Sequence, residues 1–215
     1  MFDYHGRVAV ITGGSSGLGV LCANALAARG CDVVLAARRF EILEKNAQAL
    51  REQYGVKAIP VRCDVTKEDQ VIAAREVVEK EFGRCDILIN CAGEGHNDWA
   101  IDLALEKWQA TIDVCVTGLF LMCREFGKLM REHNYGRIVN VASMLGMIAL
   151  DSSFGRGISE YSASKGQLSI SPDNWPTSGR NTASRSTPSV PASLLPNSRL
   201  SVRAGLRISS TPGAR

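Results

Sequence analysis

The stretch Ile11-Thr12-Gly13-Gly14-Ser15-Ser16-Gly17-Leu18-Gly19 decides how the chain is read. A short apolar run, Arg7-Val8-Ala9-Val10-Ile11, leads into it, and a helical pattern runs from it to Gly30. That helix is expected to bury Leu18, Leu21, Cys22, Ala25 and Leu26 along one face. Strand, glycine turn and helix in this order form a phosphate-binding βα unit. The glycines let the backbone come close to a pyrophosphate, and free N–H groups at the helix start attract its charge. Gly13, Ser15, Ser16, Gly17, Leu18 and Gly19 are therefore candidate phosphate contacts. A glycine-rich turn by itself is often only a tight turn, so the rest of the chain has to supply the context.

That context is repetition. An apolar run over 31–37 predicts a second strand, followed by Arg38-Arg39 and a helical pattern over 40–54 that stops at Gly55. A third strand is expected over 57–63, and Pro60 within it suggests a sheet edge. Asp64-Val65-Thr66 is expected to cap a helix over 67–82 that ends at Gly83. Asp86-Ile87-Leu88-Ile89-Asn90 reads as a central parallel strand, with Cys91-Ala92-Gly93 as the tight turn after it. One long amphipathic pattern covers 105–132, and a fifth strand is expected over 136–142. Alternating strands and helices predict an α/β fold, a doubly wound parallel sheet in three layers. Ligands of such sheets bind at the carboxyl ends of the strands, where Asp64, Asn90 and Ser143 fall.

Tyr161 and Lys165 complete the pattern. Four residues apart in Tyr-Ser-Ala-Ser-Lys, they share one face of a helix. A tyrosine hydroxyl ordinarily titrates near ~10. A neighbouring ammonium favours the phenolate, which would make Tyr161 a usable acid/base toward a carbonyl oxygen. Ser143 could hydrogen-bond the same oxygen. Taken alone, the spacing describes any exposed helical pair; after a glycine turn and five strand–helix units it points to chemistry.

Composition narrows the class. The 215 residues are enough for one domain with a substantial core, and a net charge of +3 gives no strong pull toward nucleic acid or membrane. No apolar run is long enough to span a bilayer, and the first residues do not resemble a signal peptide. The seven cysteines are odd in number and none are spaced as CxxC, so free thiols in a reducing cytoplasm are expected. The three histidines are scattered, which argues against a metal site.

In this arrangement the residues resemble the short-chain dehydrogenase/reductase family. The matching segments are Thr12 to Gly19, Asp64-Val65, Asn90-Cys91-Ala92-Gly93, Gly136-Arg137-Ile138-Val139-Asn140, Ser143 and Tyr161-Ser162-Ala163-Ser164-Lys165. The resemblance implies an NAD(P)-dependent oxidoreductase acting on a small secondary alcohol or ketone, a sugar acid or polyol among them. It implies Ser143, Tyr161 and Lys165 as catalytic residues and contacts to the dinucleotide from Asp64, Val65, Asn90, Ala92 and Gly93, with Lys165 also on the nicotinamide ribose. An epimerase or dehydratase on the same fold is a third reading. The second strand ends on Ala37 and Arg38 rather than on an acid, and a guanidinium suits a 2′-phosphate. NADP is therefore expected ahead of NAD, with Arg38 as the main contact, Arg39 second, and solvated loop charges as the plain alternative. Family members are usually homo-oligomers built on the long helix and the tyrosine helix.

The chain departs from the family in three places. Cys115 stands where the family has an asparagine that helps bind a relay water. The segment between Ser143 and Tyr161 is longer than usual, and 151–160 is expected to form a substrate-side loop. The largest departure begins near 168. Residues 1–168 read as the dinucleotide-binding domain, whereas 169–215 carry eleven serines, six arginines, six of the seven prolines and one acid, without periodicity. They are expected to form an irregular tail. The genetic code offers a reason. Pro172-Asp173-Asn174-Trp175-Pro176 is encoded by CCN GAY AAY TGG CCN. Read from the last base of the first codon, this permits R-Q-L-A, and its continuation permits N-E-W-A-E-H-G-I and then V-N-A-I-G-P-G-F. These are the helix and strand that the family places after its lysine. A frameshift around 167–171 therefore accounts for the tail, and a natural low-complexity segment is the alternative. Without the family's last strands the chain could be a catalytically silent nucleotide-binding remnant, and oligomerisation is in doubt.

Overall fold

The computed structural model describes residues 3–148 and 157–167. The expected tail and the 151–156 part of the expected substrate-side loop lie outside them. Five strands form one parallel sheet: β1 (Val8–Thr12), β2 (Asp32–Ala37), β3 (Ala58–Arg62), β4 (Ile87–Asn90) and β5 (Arg137–Asn140), in the order β3-β2-β1-β4-β5. The order reverses between β1 and β4, and such sheets bind ligands at this switch point, at the carboxyl ends of the strands. Pro60 lies in β3, an outer strand among the described residues, where its missing N–H costs no ladder bond.

Helices α1 (Gly17–Ala27) and α2 (Phe40–Tyr54) cover one face of the sheet. Helices α3 (Glu68–Phe82) and α5 (Leu119–Glu132) cover the other. The remaining helices are α4 (Leu105–Ile112) and α6 (Ser159–Gln167). The strands at the centre bury both faces, so β1 and β4 are buried throughout, as their unbroken apolar runs require. Gly55 and Gly83 end α2 and α3 in the left-handed conformation expected of them.

Three expectations are corrected. Helix α1 buries Gly19, Ala23 and Ala27, with Cys22 and Leu26 only partly covered, while Leu21 is 53% exposed and Ala25 faces solvent. The stripe is made of small residues because the helix lies tight against the sheet: a Cβ on Gly19 would run into the Gly13 carbonyl. Asp64 does not cap α3, whose first-turn N–H groups receive no side-chain cap. Its carboxylate instead closes a local turn, accepting from Thr66 N (3.0 Å) and Thr66 Oγ1 (2.8 Å). The long amphipathic pattern is one rod in two parts, since α4 and α5 are joined by a π-helical turn, Asp113–Gly118. Such turns often accompany functional sites. Here the turn seats Gly118 on Val65, where an added Cβ would lie 2.6 Å from Val65 Cγ2.

Candidate functional site

The glycine turn is built by close backbone approach. Gly13 has φ of +68°, and a Cβ there would lie 3.1 Å from Ala92 N and from the Cys91 carbonyl. The turn after β4 is thus pressed onto the turn after β1. Ala92 N donates to Thr12 Oγ1 (3.0 Å), Gly14 N to Ala36 O (3.3 Å), and Asn46 Nδ2 to Gly14 O (3.0 Å). Ser16 and Gly17 are exposed at the start of α1, with Ser15 and Leu18 half-buried beside them. A Cβ on Gly17 would meet nothing within 4 Å. The cradle is therefore open at the start of α1, which has no side-chain cap, and it fits a dinucleotide pyrophosphate.

Charge is placed on the same rim. Arg39 Nη2 donates to Ser15 Oγ (3.0 Å) and Ser16 Oγ (3.2 Å). Arg38 reaches across to Glu94, with Nη2 3.4 Å from Oε2. Arg38 and Arg39 thus lie on the same rim, Arg39 against the cradle serines and Arg38 against Glu94. Glu94, which the sequence did not single out, is the acid that pairs with Arg38.

The strand ends behave differently from one another. Asn90 is buried, and its Nδ2 donates to Asn140 Oδ1 (2.9 Å) and to Cys123 Sγ (3.3 Å), which ties β4 to β5 and α5. Asp64 lies beyond the end of β3 in its own turn, and Val65 is buried against Gly118. Ala92 and Gly93 line the mouth of the turn; a Cβ on Gly93 would lie 3.9 Å from both Cys115 Sγ and Lys165 Nζ.

Ser143, Tyr161 and Lys165 come together. Ser143 caps a 3-10 turn, Met144–Gly146, by accepting from Leu145 N (3.2 Å). That turn docks on α6 so closely that a Cβ on Gly146 would lie 2.6 Å from Gly166 N. The contact brings the Ser143 hydroxyl close enough to the Tyr161 phenol to favour its phenolate. Gly95 lies against the Tyr161 side chain from the other side, with room for a Cβ only 3.3 Å from Tyr161 Cβ. Lys165 is 4% exposed, donates to Val141 O (2.8 Å) and lies 5.4 Å from the centre of the Tyr161 ring.

The electrostatics correct one expectation. Burial, with the Cys115 thiol adding to it, raises the Tyr161 pKa, and the nearby Ser143 hydroxyl only partly opposes this. Burial also lowers the Lys165 pKa. The lysine therefore does not pull the phenol down, and Tyr161 is held as a neutral proton donor. Around it sit polar groups that sequence reasoning missed. Glu160 is fully buried; its Oε1 accepts from His96 N (2.7 Å), while its Oε2 and Thr111 Oγ1 have no hydrogen-bond partner and His96 Nε2 lies 3.8 Å from Glu94 Oε1. Only the fold could reveal them, because they come from separate segments. Cys115 lies on the π-turn with its Sγ 3.6 Å from Glu94 O.

Comparisons with known proteins agree with this geometry. The chain is 39% identical over 155 residues to the D-threitol dehydrogenase of Mycolicibacterium smegmatis, covering 70% of this chain and 58% of that one. It is similar in structure to an NAD+-bound xylitol dehydrogenase, with a TM-score of 0.73 and 33% identity over 78% of this chain and 62% of that one. It is also similar to the L-sorbose reductase of Gluconobacter frateurii solved with NADPH and L-sorbose, with a TM-score of 0.71 and 34% identity over 77% and 61%. The chain thus spans about three-fifths of the length of these relatives. The family model for short chain dehydrogenases matches residues 7–170, which takes in the glycine turn, all five strands and the serine–tyrosine–lysine cluster. The chain belongs to the short-chain dehydrogenase family.

Proposed function

We propose that this chain carries the dinucleotide-binding and proton-transfer parts of an NAD(P)-dependent oxidoreductase that interconverts a secondary alcohol and a ketone, with a polyol or sugar acid as substrate. The observation that carries the reading is the packing of the Ser143 turn onto the helix of Tyr161 and buried Lys165, at the same end of the sheet as the open glycine cradle. The polyol assignment rests on the relatives, which act on threitol, xylitol and sorbose by their names.

A bound nicotinamide dinucleotide would supply a hydride acceptor or donor. Gly13, Ser15, Ser16, Gly17, Leu18 and Gly19 would hold its pyrophosphate, and Asp64, Val65, Asn90, Ala92 and Gly93 would line its groove. Arg38 and Arg39 favour a 2′-phosphate and hence NADP, with NAD as the second choice. Ser143 would orient a carbonyl oxygen. Tyr161 would give that oxygen its proton in reduction and take it back in oxidation. Lys165, anchored on Val141 O, would hold the ribose side of the cofactor and keep α6 in place. The free thiols support a reducing cytoplasm as the setting.

A second reading is favoured by the change of composition near 168 and by the partial coverage of the relatives: a dinucleotide-binding remnant without turnover. One experiment separates the two. The 215-residue chain and a frame-restored protein, with the codons after 168 read in the shifted register, are mixed with NADP+ or NAD+ and a panel of polyols. Growth of reduced cofactor in the frame-restored protein supports the oxidoreductase. Dinucleotide binding by both proteins with turnover by neither supports the remnant.

A further inference from the structure

The loop after β4 meets α6 in reverse order along the helix. Gly93 comes first, where a Cβ would lie 3.9 Å from Lys165 Nζ. Gly95 follows, where a Cβ would lie 3.3 Å from Tyr161 Cβ and Cδ2. His96 comes last, and its main-chain N–H donates to Glu160 Oε1 (2.7 Å). One short loop thus passes Lys165, Tyr161 and Glu160 in turn.

The approach at Gly95 leaves little room for a side chain, so the loop backbone itself walls that side of Tyr161. A glycine offers few atoms for dispersion contact, so the wall needs another hold. Arg38 Nη2 lies 3.4 Å from Glu94 Oε2, Cys115 Sγ lies 3.6 Å from Glu94 O, and Lys107 Nζ donates to Asp98 Oδ2 (2.7 Å). These ties run to the cradle rim, the π-turn and α4, and none of the three reaches α6. The tie to α6 is Glu160, which is fully buried and bonds main chain to side chain away from water, where a hydrogen bond is stronger. Two adjacent residues of the helix therefore hold two adjacent residues of the loop, Glu160 on His96 and Tyr161 on Gly95. Elsewhere α6 is fixed by the backbone contact of Gly146 with Gly166, which brings in the Ser143 turn.

We propose, on the reading of Tyr161 as the proton donor, that Glu160 is a positioning residue: its bond to His96 N seats the loop after β4 against Tyr161 and so sets where the phenol stands relative to Ser143. Glu160 moves no proton and touches no reacting atom. Its loss should let the loop draw back and the ring shift, and a misplacement of about 1 Å can cost ~10²-fold in rate. A displaced donor weakens the transition state alone, so kcat and kcat/KM should fall together while KM holds. Dinucleotide affinity should stay near the parent's, because the cofactor side of the loop is tied separately, from Ala92 N to Thr12 Oγ1.

The test compares two substitutions at one position. Glu160→Gln keeps an acceptor oxygen, and the Oε2 that its amide group replaces accepts no hydrogen bond from the described residues. Glu160→Met has a similar volume and no acceptor. The first readout is hydrogen exchange of the His96 amide in the 215-residue chain, resolved to the residue by mass spectrometry, which needs no activity. The second is kcat and KM in the frame-restored protein. Exchange is expected to be slow in the parent and in Glu160→Gln and fast in Glu160→Met. Turnover should fall by ~10–10²-fold in Glu160→Met, with KM near the parent's, and Glu160→Gln should recover most of it. Exchange as fast in the parent as in Glu160→Met would overturn the proposal, as would a folded Glu160→Met with the parent's kcat. If Glu160→Met does not fold, Gly95→Ala decides from the loop side: its Cβ crowds Tyr161 and should lower kcat, and the parent's kcat there would overturn the proposal. A parent without turnover would defeat the oxidoreductase reading instead, and the hold of Glu160 on the loop would still stand or fall on the His96 exchange.

Discussion

The two ends of the sheet are built on opposite principles. At the amino end, Asp86 is 1% exposed and saturated: it accepts from Arg7 Nη1 (2.8 Å), Val8 N (3.0 Å), Arg84 Nε (2.8 Å) and Arg84 Nη2 (2.5 Å). Asp32 Oδ1 there accepts from Lys57 N (2.8 Å). At the carboxyl end the polar groups are crowded but not saturated. Asn90 Oδ1, Thr111 Oγ1 and Glu160 Oε2 are buried without hydrogen-bond partners, and Lys165 and Tyr161 are desolvated at the same end. Unpaired buried polar atoms are costly, so they are poor devices for holding a fold. The difference teaches that the amino end secures the sheet, while the carboxyl end is arranged for chemistry.

Substitutions should divide along that line. The largest effect is expected at Tyr161. In the frame-restored protein, Tyr161→Phe removes the transferable proton and should lower turnover by ~10²–10⁴-fold. Its denaturant midpoint and its dinucleotide affinity should stay near those of the parent. A variant as active as the parent would remove Tyr161 from the mechanism.

At the other end, Asp86→Ala should do the reverse. It leaves Arg7 and Arg84 without their shared acceptor and should cost about 3 kcal/mol of stability, the low end for a broken buried pair because both arginines are partly exposed. Turnover per folded molecule should not change. The pH dependence carries a sign that can be checked. Asp86 is buried, yet its bonds to Arg84, Val8 and Arg7 outweigh that burial and hold its pKa below the unfolded value of about 3.9. Its contribution is therefore complete above that value and is lost as pH falls through the lower, folded one. Acid unfolding curves of the parent should show this loss, and those of Asp86→Ala should lack it.

A smaller effect on both properties is expected where the cradle meets the core. Gly19→Ala forces the turn away from the Gly13 carbonyl and should cost ~1–3 kcal/mol, the usual range for overpacking. Dinucleotide affinity should fall with it, as calorimetry can measure. Unchanged affinity would mean that the turn is not the binding element. The smallest effect is expected on the exposed rim. Arg38→Asp should move the NADP-to-NAD affinity ratio by about fivefold toward NAD, since an exposed charge contact is worth ~1 kcal/mol. If the preference moves only when Arg39 is changed, the cradle contact of Arg39 is the one that reads the phosphate.

The sequence made the sheet legible because each strand–helix unit is punctuated by its own chemistry. Gly55 and Gly83 mark helix ends, Pro60 marks an outer strand, and Ile87 to Ile89 mark the centre. It also placed Ser143, Tyr161 and Lys165 at one end of the sheet. What it did not reveal depends on distance in space. The small-residue stripe of α1 is set by the proximity of Gly13, the π-turn by packing on Val65, and the raised Tyr161 pKa by burial that no spacing encodes.

The most direct test of chemistry at the carboxyl end is the pH profile of kcat/KM for carbonyl reduction in the frame-restored protein. Burial holds Tyr161 protonated above the usual tyrosine range, so the rate is predicted to stay level through neutral pH and to fall only in strong base, as the phenol loses its proton. Tyr161→Phe should lack that basic limb and retain only a low, flat rate. A parent profile that falls near neutral pH, or a Tyr161→Phe variant that keeps the parent's rate and basic limb, would contradict the assignment of the proton to Tyr161.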